Sequence, residues 1–374
     1  MYVEMEQTNN HNIEAKIIDP SMNTVQQTHN YFPKQFIWPK DHVSRASVEV
    51  LNEHVIDLQG FFKHDEKATL HEANLVNESC LKHGFFQVIN HGIDPKLLAL
   101  AYEHGWAFFQ LPITEKSKCK KKEGSMNDFS NGHAHRFAEK LPWKECLTFE
   151  YHENDSNEVA VEFFNSTYGS QYKETGLIYQ RFCHAMRKLS LDIMELLEIS
   201  LGVTSRKYYR QLFEDCVSIV RNNYYPKCDY PELTYGAGPH RDPTTLTVLY
   251  QDQFGGLEVF VDNKWKAVQP RPNALVINIG DTFTALSNGK YMSCLHRVTV
   301  NTETQGLALE FFLCPKSDKK MKPPQELIDK DGKQEYPDFT WEEFLRFTQK
   351  HHRADENNLD SFNNWLKSSR SSNA

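Results

Sequence analysis

The sequence predicts a β-rich α+β fold, with an antiparallel sandwich or barrel (a jelly roll among the options) flanked by helices. Three observations carry this. From about Cys216, short runs rich in Val, Ile, Leu, Phe and Thr recur roughly every 8 to 12 residues, split by Gly, Pro, Asp and Asn. Before them, apolar residues repeat at helical spacing, and after them Thr340 and Glu343 fit a capping box ahead of Phe344 and Phe347.

Taken in chain order, residues 1–35 are rich in Asn, Gln, Thr and Glu without an apolar period and read as a disordered tail. Residues 36–205 form a helical and mixed region. There Leu70, Ala73, Asn77, Cys80 and Leu81 fall near one helical face, and Gly84 stands where a left-handed residue would end the helix. Phe85 to Asn90 reads as a buried strand. Asp94-Pro95 supplies an N-cap and first-turn proline for a helix through about Phe109. Tyr179, Phe182, Met186, Leu189, Ile193, Leu197 and Leu201 mark a long helix whose stripe belongs to the core.

The β-rich core occupies 206–318. Its expected strands are Val217–Tyr225, Thr245–Tyr250, Leu257–Val261, Lys264–Val268, Ala274–Ile279, Leu295–Val300 and Leu307–Leu313, with turns at Gly255-Gly256 and Asp262-Asn263. Helices and a short tail fill 319–374.

Of the 374 residues, 39% are apolar and 12% aromatic, enough for a sizeable core. The net charge of −8 gives no electrostatic reason to expect nucleic acid. The run Lys116, Lys118, Lys120, Lys121 and Lys122 reads as a solvated face rather than a phosphate site. Eight scattered cysteines without C-x-x-C pairs indicate reduced thiols. No apolar stretch suggests a signal peptide or a membrane span. The expectation is a cytoplasmic monomer acting on a small molecule, with no membrane or nucleic-acid partner.

The candidate metal ligands are His240, Asp242 and His296. His240 and Asp242 are two apart beside an expected strand and so point the same way. His296 comes from a distant strand that the fold must bring alongside. Two imidazoles and one carboxylate on one face of an octahedron suit Fe(II) and leave the opposite face open for a bidentate 2-oxo acid and dioxygen.

The surrounding text resembles the plant 2-oxoglutarate-dependent dioxygenases, and among them the gibberellin 20-oxidase group. The residues that carry the likeness are Asn223-Tyr224-Tyr225-Pro226, Gly238-Pro239-His240-Arg241-Asp242-Pro243-Thr244, Val276 to Asn288, and Ser293 to Arg297. His83 to Phe86, Asn90 to Gly92 and the segment LPWKECLTF, Leu141 to Phe149, extend it into the first half. The resemblance implies a double-stranded β-helix (jelly-roll) core, Fe(II), 2-oxoglutarate and dioxygen as reactants, and ascorbate as a helper. It also implies oxidation of carbon 20 of gibberellin precursors, through alcohol and aldehyde to its loss. It places Asn223 and Tyr225 beside the oxo acid, and Leu141, Trp143 and Lys144 near the substrate, a gibberellin-like diterpenoid acid.

One departure stands out. The family carries an R-x-S pair that binds the far carboxylate of 2-oxoglutarate; aligned on Phe311-Phe312-Leu313-Cys314-Pro315, those slots hold Gly306 and Ala308, and Glu310 replaces a small residue. Neither Gly306 nor Ala308 has a side chain able to donate a hydrogen bond. An unpaired buried charge costs roughly 3 to 5 kcal/mol, or about two to three and a half decades of affinity. Arg221, Arg241 or Arg297 could substitute, with Arg221 ranked above Arg241 because strand alternation puts it on the face of Asn223 and Tyr225. The alternatives are an oxygenase for another plant metabolite, or a weakly active or inactive relative.

Overall fold

The computed structural model describes residues 2–5, 15–18, 32–39, 43, 46–122, 124–131, 140–153, 158–205, 207–351 and 357–371. Within the expected tail, β1 (Tyr2–Met5) pairs with β2 (Ala15–Ile18) as an antiparallel ribbon. The tail also ends earlier than its composition suggests. Phe32 is buried and stacks on Trp143 at 4.9 Å, since an aromatic ring gains more from burial than the neighbouring polar residues lose.

Next in the chain come β3 (Val55–Asp57), β4 (Phe85–Ile89), β5 (Asp128–Ser130), β6 (Glu145–Tyr151) and β7 (Val217–Tyr225). They are followed by β8 (Ala237–His240), β9 (Leu246–Gln251), β10 (Leu257–Val261), β11 (Lys264–Ala267), β12 (Leu275–Ile279), β13 (His296–Val298) and β14 (Gly306–Cys314). Eight of these form one sheet in the order β3-β4-β12-β9-β14-β7-β6-β5; four form a second, β11-β10-β13-β8. All their ladders are antiparallel except β3–β4. The two sheets share an apolar layer in which Leu249, Val276 and Ala308 meet Leu257, Val259 and Val261.

The expected core strands fall within a residue or two of these bounds, because their run lengths and turn residues agree. Asp262 and Asn263 both take positive φ (54° and 59°), as a two-residue hairpin between β10 and β11 requires. Strands β6 and β8 escaped the sequence reading: β6 carries a glutamate on each face, Glu145 and Glu150, and β8 contains Gly and Pro.

Period two divides the large sheet. On β14, Leu309, Phe311 and Leu313 join the main core and Gly306, Ala308 and Glu310 line the space between the sheets, while Leu307 and Phe312 touch both. The outer face carries the helix Lys173–Ser200, whose Tyr179, Phe182 and Met186 are fully buried. Each such side chain contributes about 1.5 to 3 kcal/mol. Asn222, on the same side of β7, donates to the Tyr179 hydroxyl.

The helix Glu66–Lys82 turns a different face inward from the one expected. Ala73, Val76, Ser79 and Cys80 are buried, whereas Leu70 and Leu81 are 57% and 51% exposed. Asp94 caps the helix Pro95–Phe109 by accepting from Lys96 N at 2.9 Å. Thr340 and Glu343 form the reciprocal capping box: Glu343 N donates to Thr340 Oγ1 at 3.3 Å and Thr340 N to Glu343 Oε2 at 2.7 Å.

The basic run is not all solvated. Lys116 is buried, its ammonium 2.6 Å from Glu145 Oε2 and donating to Phe109 O at 3.1 Å. All eight cysteines are buried free thiols. Among the described residues no helix is long and apolar enough to cross a membrane.

A candidate metal centre and the cavity behind it

His240 ends β8 and His296 begins β13; the two strands pair there, residue on residue, with the ring centroids 4.2 Å apart. Asp242 follows in the loop, its Oδ1 3.7 Å from His240 Nε2. One ligand atom from each of the three residues lies within 4.8 Å of the others. The strand pairing thus does what sequence separation alone could not: it sets the distal histidine beside the H-x-D loop.

Hydrogen bonds fix which atoms face the metal. His240 Nδ1 donates to Gly238 O at 2.8 Å and His296 Nδ1 to Cys294 O at 3.1 Å, which makes Nε2 the ligating nitrogen of each ring. Thr247 Oγ1 donates to Asp242 Oδ2 at 2.6 Å, leaving Oδ1 for a cation. Burial, then the charge of neighbouring His296, pushes the His240 imidazole down to about 3, which keeps it neutral and able to ligate. Burial works against the Asp242 carboxylate, but the two imidazoles and Thr247 hold it below the usual carboxylate range. Two imidazole nitrogens and one carboxylate oxygen, preoriented by these hydrogen bonds, fit Fe(II).

The loop itself is locked from behind. Asp281 N donates to Asp242 O at 2.8 Å, and Gly280 packs so closely that an added Cβ would lie 2.0 Å from Thr244 O. Only glycine fits there.

The triad opens onto a cavity between the sheets, lined by Thr148, Arg221, Tyr225, Leu249 and Glu310 from the large sheet and by Ala237, Leu257 and Val298 from the small one. Lys121, Met126, Trp341 and Leu345 also line it. Asn223 shares the inward face of β7 with Arg221 and Tyr225; it is 1% exposed, and neither its amide nitrogen nor its oxygen has a partner. Gln251 Nε2 and Asn278 Oδ1 are likewise buried and unpartnered on the cavity wall. Such orphans cost about 1 to 3 kcal/mol each unless a ligand or water satisfies them.

The segment from Leu141 to Phe149 divides between two roles. Trp143 is 3% exposed, packed on Phe32 and Phe36, and its indole N–H donates to Pro226 O at 3.2 Å and to Lys227 O at 3.1 Å. Leu141 packs into the same cluster, and neither residue lines the cavity. Pro142, Lys144, Cys146 and Thr148 do. Alternation is the reason: even-numbered residues of this strand face inward and odd-numbered ones outward.

The three candidate substitute arginines also separate. Arg297 is buried in an ion pair with Glu258 (Nε to Oε2, 2.6 Å) and lies 4.3 Å over the Trp265 ring, so it braces β13 and does not serve the cavity. Arg241 donates to Ser293 O at 3.3 Å. Arg221 reaches the cavity, donating to Thr148 Oγ1 at 3.2 Å and lying 5.3 Å over the Phe312 ring. Sequence reading missed Thr247, Gln251 and Asp252, which no spacing rule singles out.

Residues 216–315 match the 2OG-Fe(II) oxygenase superfamily, and residues 54–167 match the N-terminal region of the non-haem dioxygenases in morphine synthesis. The chain is 48% identical over 362 residues to gibberellin 20 oxidase 3 of Arabidopsis thaliana, covering 96% of this chain and 94% of that protein. It is 48% identical over 334 residues to gibberellin 20 oxidase 2 of Oryza sativa subsp. japonica, covering 89% and 85%. Among solved structures, JOX2 in complex with 2OG, Fe and JA superposes with a TM-score of 0.78 at 29% identity, covering 90% of this chain and 95% of that one.

Proposed function

Because the chain belongs to the 2OG-Fe(II) oxygenase superfamily, we propose that it is a gibberellin 20-oxidase, oxidising carbon 20 of gibberellin precursors. It is a 2-oxoglutarate-dependent dioxygenase. The observation that carries the reading is the buried His240–Asp242–His296 triad opening onto a single polar-lined cavity within a chain 48% identical to gibberellin 20 oxidases throughout its length. We read the two facing sheets as the jelly roll of that family.

His240 Nε2, Asp242 Oδ1 and His296 Nε2 would hold the iron, which would activate dioxygen, the oxidant, for reaction with the oxo acid and the substrate. The protein's own part is binding, orientation and exclusion of water. Thr247 and the carbonyls of Gly238 and Cys294 hold the ligands in place. The cavity suits a dianionic oxo acid: Arg221 and Lys144 bring positive charge and Gln251 and Tyr225 bring polar groups to its wall, while Asn223, unpartnered on the same face of β7, is not among the lining residues. In this reading Asn223 and Tyr225 contact the oxo acid, with Arg221 close behind. Lys144 faces the space a diterpenoid acid would enter, whereas Trp143 and Leu141 support that segment from outside. The eight reduced thiols support a cytoplasmic protein, which we take to be a monomer.

The direct test is release of labelled carbon dioxide from 2-oxoglutarate with Fe(II), with and without a carbon-20 gibberellin precursor. Gibberellin-stimulated release with oxidised gibberellin among the products is expected. Release that no gibberellin stimulates would favour an oxygenase with another substrate, and no release at all an inactive relative.

A further inference from the structure

Building on the oxygenase reading, we infer that Lys144 anchors the distal carboxylate of the oxo acid, and that Glu310 opposes that binding from across the cavity. The argument begins with register. Tyr225 of β7 pairs with Gly306 of β14, and Tyr224 pairs with Glu145 of β6. Lys144 precedes β6 by one residue, so extending that register by one step beyond the ladder sets it beside Tyr225, on the side away from Gly306. It stands in the row of the missing side chain, two strands away.

The place at Gly306 itself is hostile to a carboxylate. A Cβ added there would lie 3.1 Å from Asp252 Oδ2, and that oxygen already accepts from Leu307 N at 2.7 Å. With no cation at position 306, the Asp252 carboxylate faces that corner uncompensated by any side chain of β14. An incoming carboxylate is driven toward the opposite end of the row.

The cations on the cavity wall then sort themselves. Arg241 is engaged with Ser293 O, Arg221 with Thr148 and the Phe312 ring, and Lys121 is exposed. Lys144 lines the cavity, and its ammonium has no hydrogen bond or ion pair with a described residue. Glu310 is in the same position with the opposite charge: it pairs by register with Arg221 and Leu249, faces inward, and makes no hydrogen bond or ion pair with a described residue. Burial holds the Lys144 ammonium below its usual range and the Glu310 carboxylate above its own, each only partly relieved by the other. Of the cations on this wall other than exposed Lys121, Lys144 is thus the one whose ammonium has no hydrogen bond or ion pair with a described residue, and so the one open to the oxo acid.

Anaerobic calorimetry with Fe(II) present decides it, using 2-oxoglutarate and 2-oxopentanoate, which has the same carbon chain without the distal carboxylate. Lys144→Met should weaken 2-oxoglutarate roughly tenfold or more while changing 2-oxopentanoate less than about twofold, the signature of one lost charge-assisted contact. Lys144→Arg should retain most of the affinity. Adding Gly306→Arg with Ala308→Ser to Lys144→Met should restore it, since the new guanidinium meets Asp252 and offers donors at the old corner. Glu310→Ala should tighten 2-oxoglutarate several-fold. Equal weakening of both ligands in Lys144→Met, or none, overturns the assignment; so does Glu310→Ala without gain. If wild type with Fe(II) binds neither oxo acid, the oxygenase reading itself fails, an outcome distinct from intact binding that ignores Lys144.

Discussion

Lys144 and Glu145 are neighbours in the chain and opposites in circumstance. Glu145 points to the helix-covered face of the large sheet, where Lys116 meets it at 2.6 Å with both side chains 1% exposed. Lys144 lines the cavity, and among the described residues its ammonium has no hydrogen bond or ion pair. The outer face closes its charges because nothing else will ever arrive there. The inner face keeps polar groups open, at a cost in stability, because a ligand completes them. Within the inner face the metal end resembles the outer face, with every ligand held by a hydrogen bond, and only the end toward Gly306 is loose.

The sharpest break in this contrast is at the metal. His240→Ala or His296→Ala should abolish high-affinity Fe(II) binding in anaerobic calorimetry while the fold survives, as judged by circular dichroism. Full iron occupancy in the double variant would show that the triad is not the centre. Next is the closed pair. Lys116→Met strands a buried carboxylate and should lower unfolding free energy by about 3 to 5 kcal/mol in urea titration, while Lys116→Met with Glu145→Met should recover most of it. A single variant as stable as wild type would mean that the outer face is not closed by this pair.

A smaller effect belongs to Thr247, which holds Asp242. Thr247→Val should weaken Fe(II) by about 10- to 100-fold without moving the melting temperature much. Unchanged affinity would leave Asp242 oriented by its loop alone. Smallest is the cap remote from both faces: Thr340→Ala should cost about 1 kcal/mol, read as a lower urea midpoint with unchanged slope, and leave iron and oxo-acid binding untouched.

Much of this was legible in the sequence for identifiable reasons. The strands of the core announced themselves by run length and turn residues, and the iron ligands by their spacing and surrounding text. Strand β6 did not, because its glutamates, Glu145 and Glu150, fall on opposite faces, and Trp143 and Lys144 precede the strand, where no period tells the inward side chain from the outward one. The buried state of Lys116 was hidden in a run of exposed lysines; a contact from β6 decides it. Gly306 and Ala308 showed that an anchor was missing, but only the register across three strands shows which cation stands in the same row. Arg221, preferred from alternation, lies two inward-facing rows further along β7, beside Glu310.

The packing of the amino-terminal segment sets a timetable for the making of this protein. Phe32 and Phe36 lie on Trp143, Trp38 N donates to Leu233 O at 2.9 Å, and Trp38 stacks edge-on against Tyr235 at 5.3 Å. Residues that leave the ribosome early must therefore wait, undocked, until the strands beyond Pro226 have been synthesised. His296 and β14 emerge later still, so the growing chain cannot take up iron until nearly all of it is out. Until Trp143, Leu233 and Tyr235 have been made, three large aromatic side chains, Phe32, Phe36 and Trp38, lack their partners, a window in which a chaperone has something to hold.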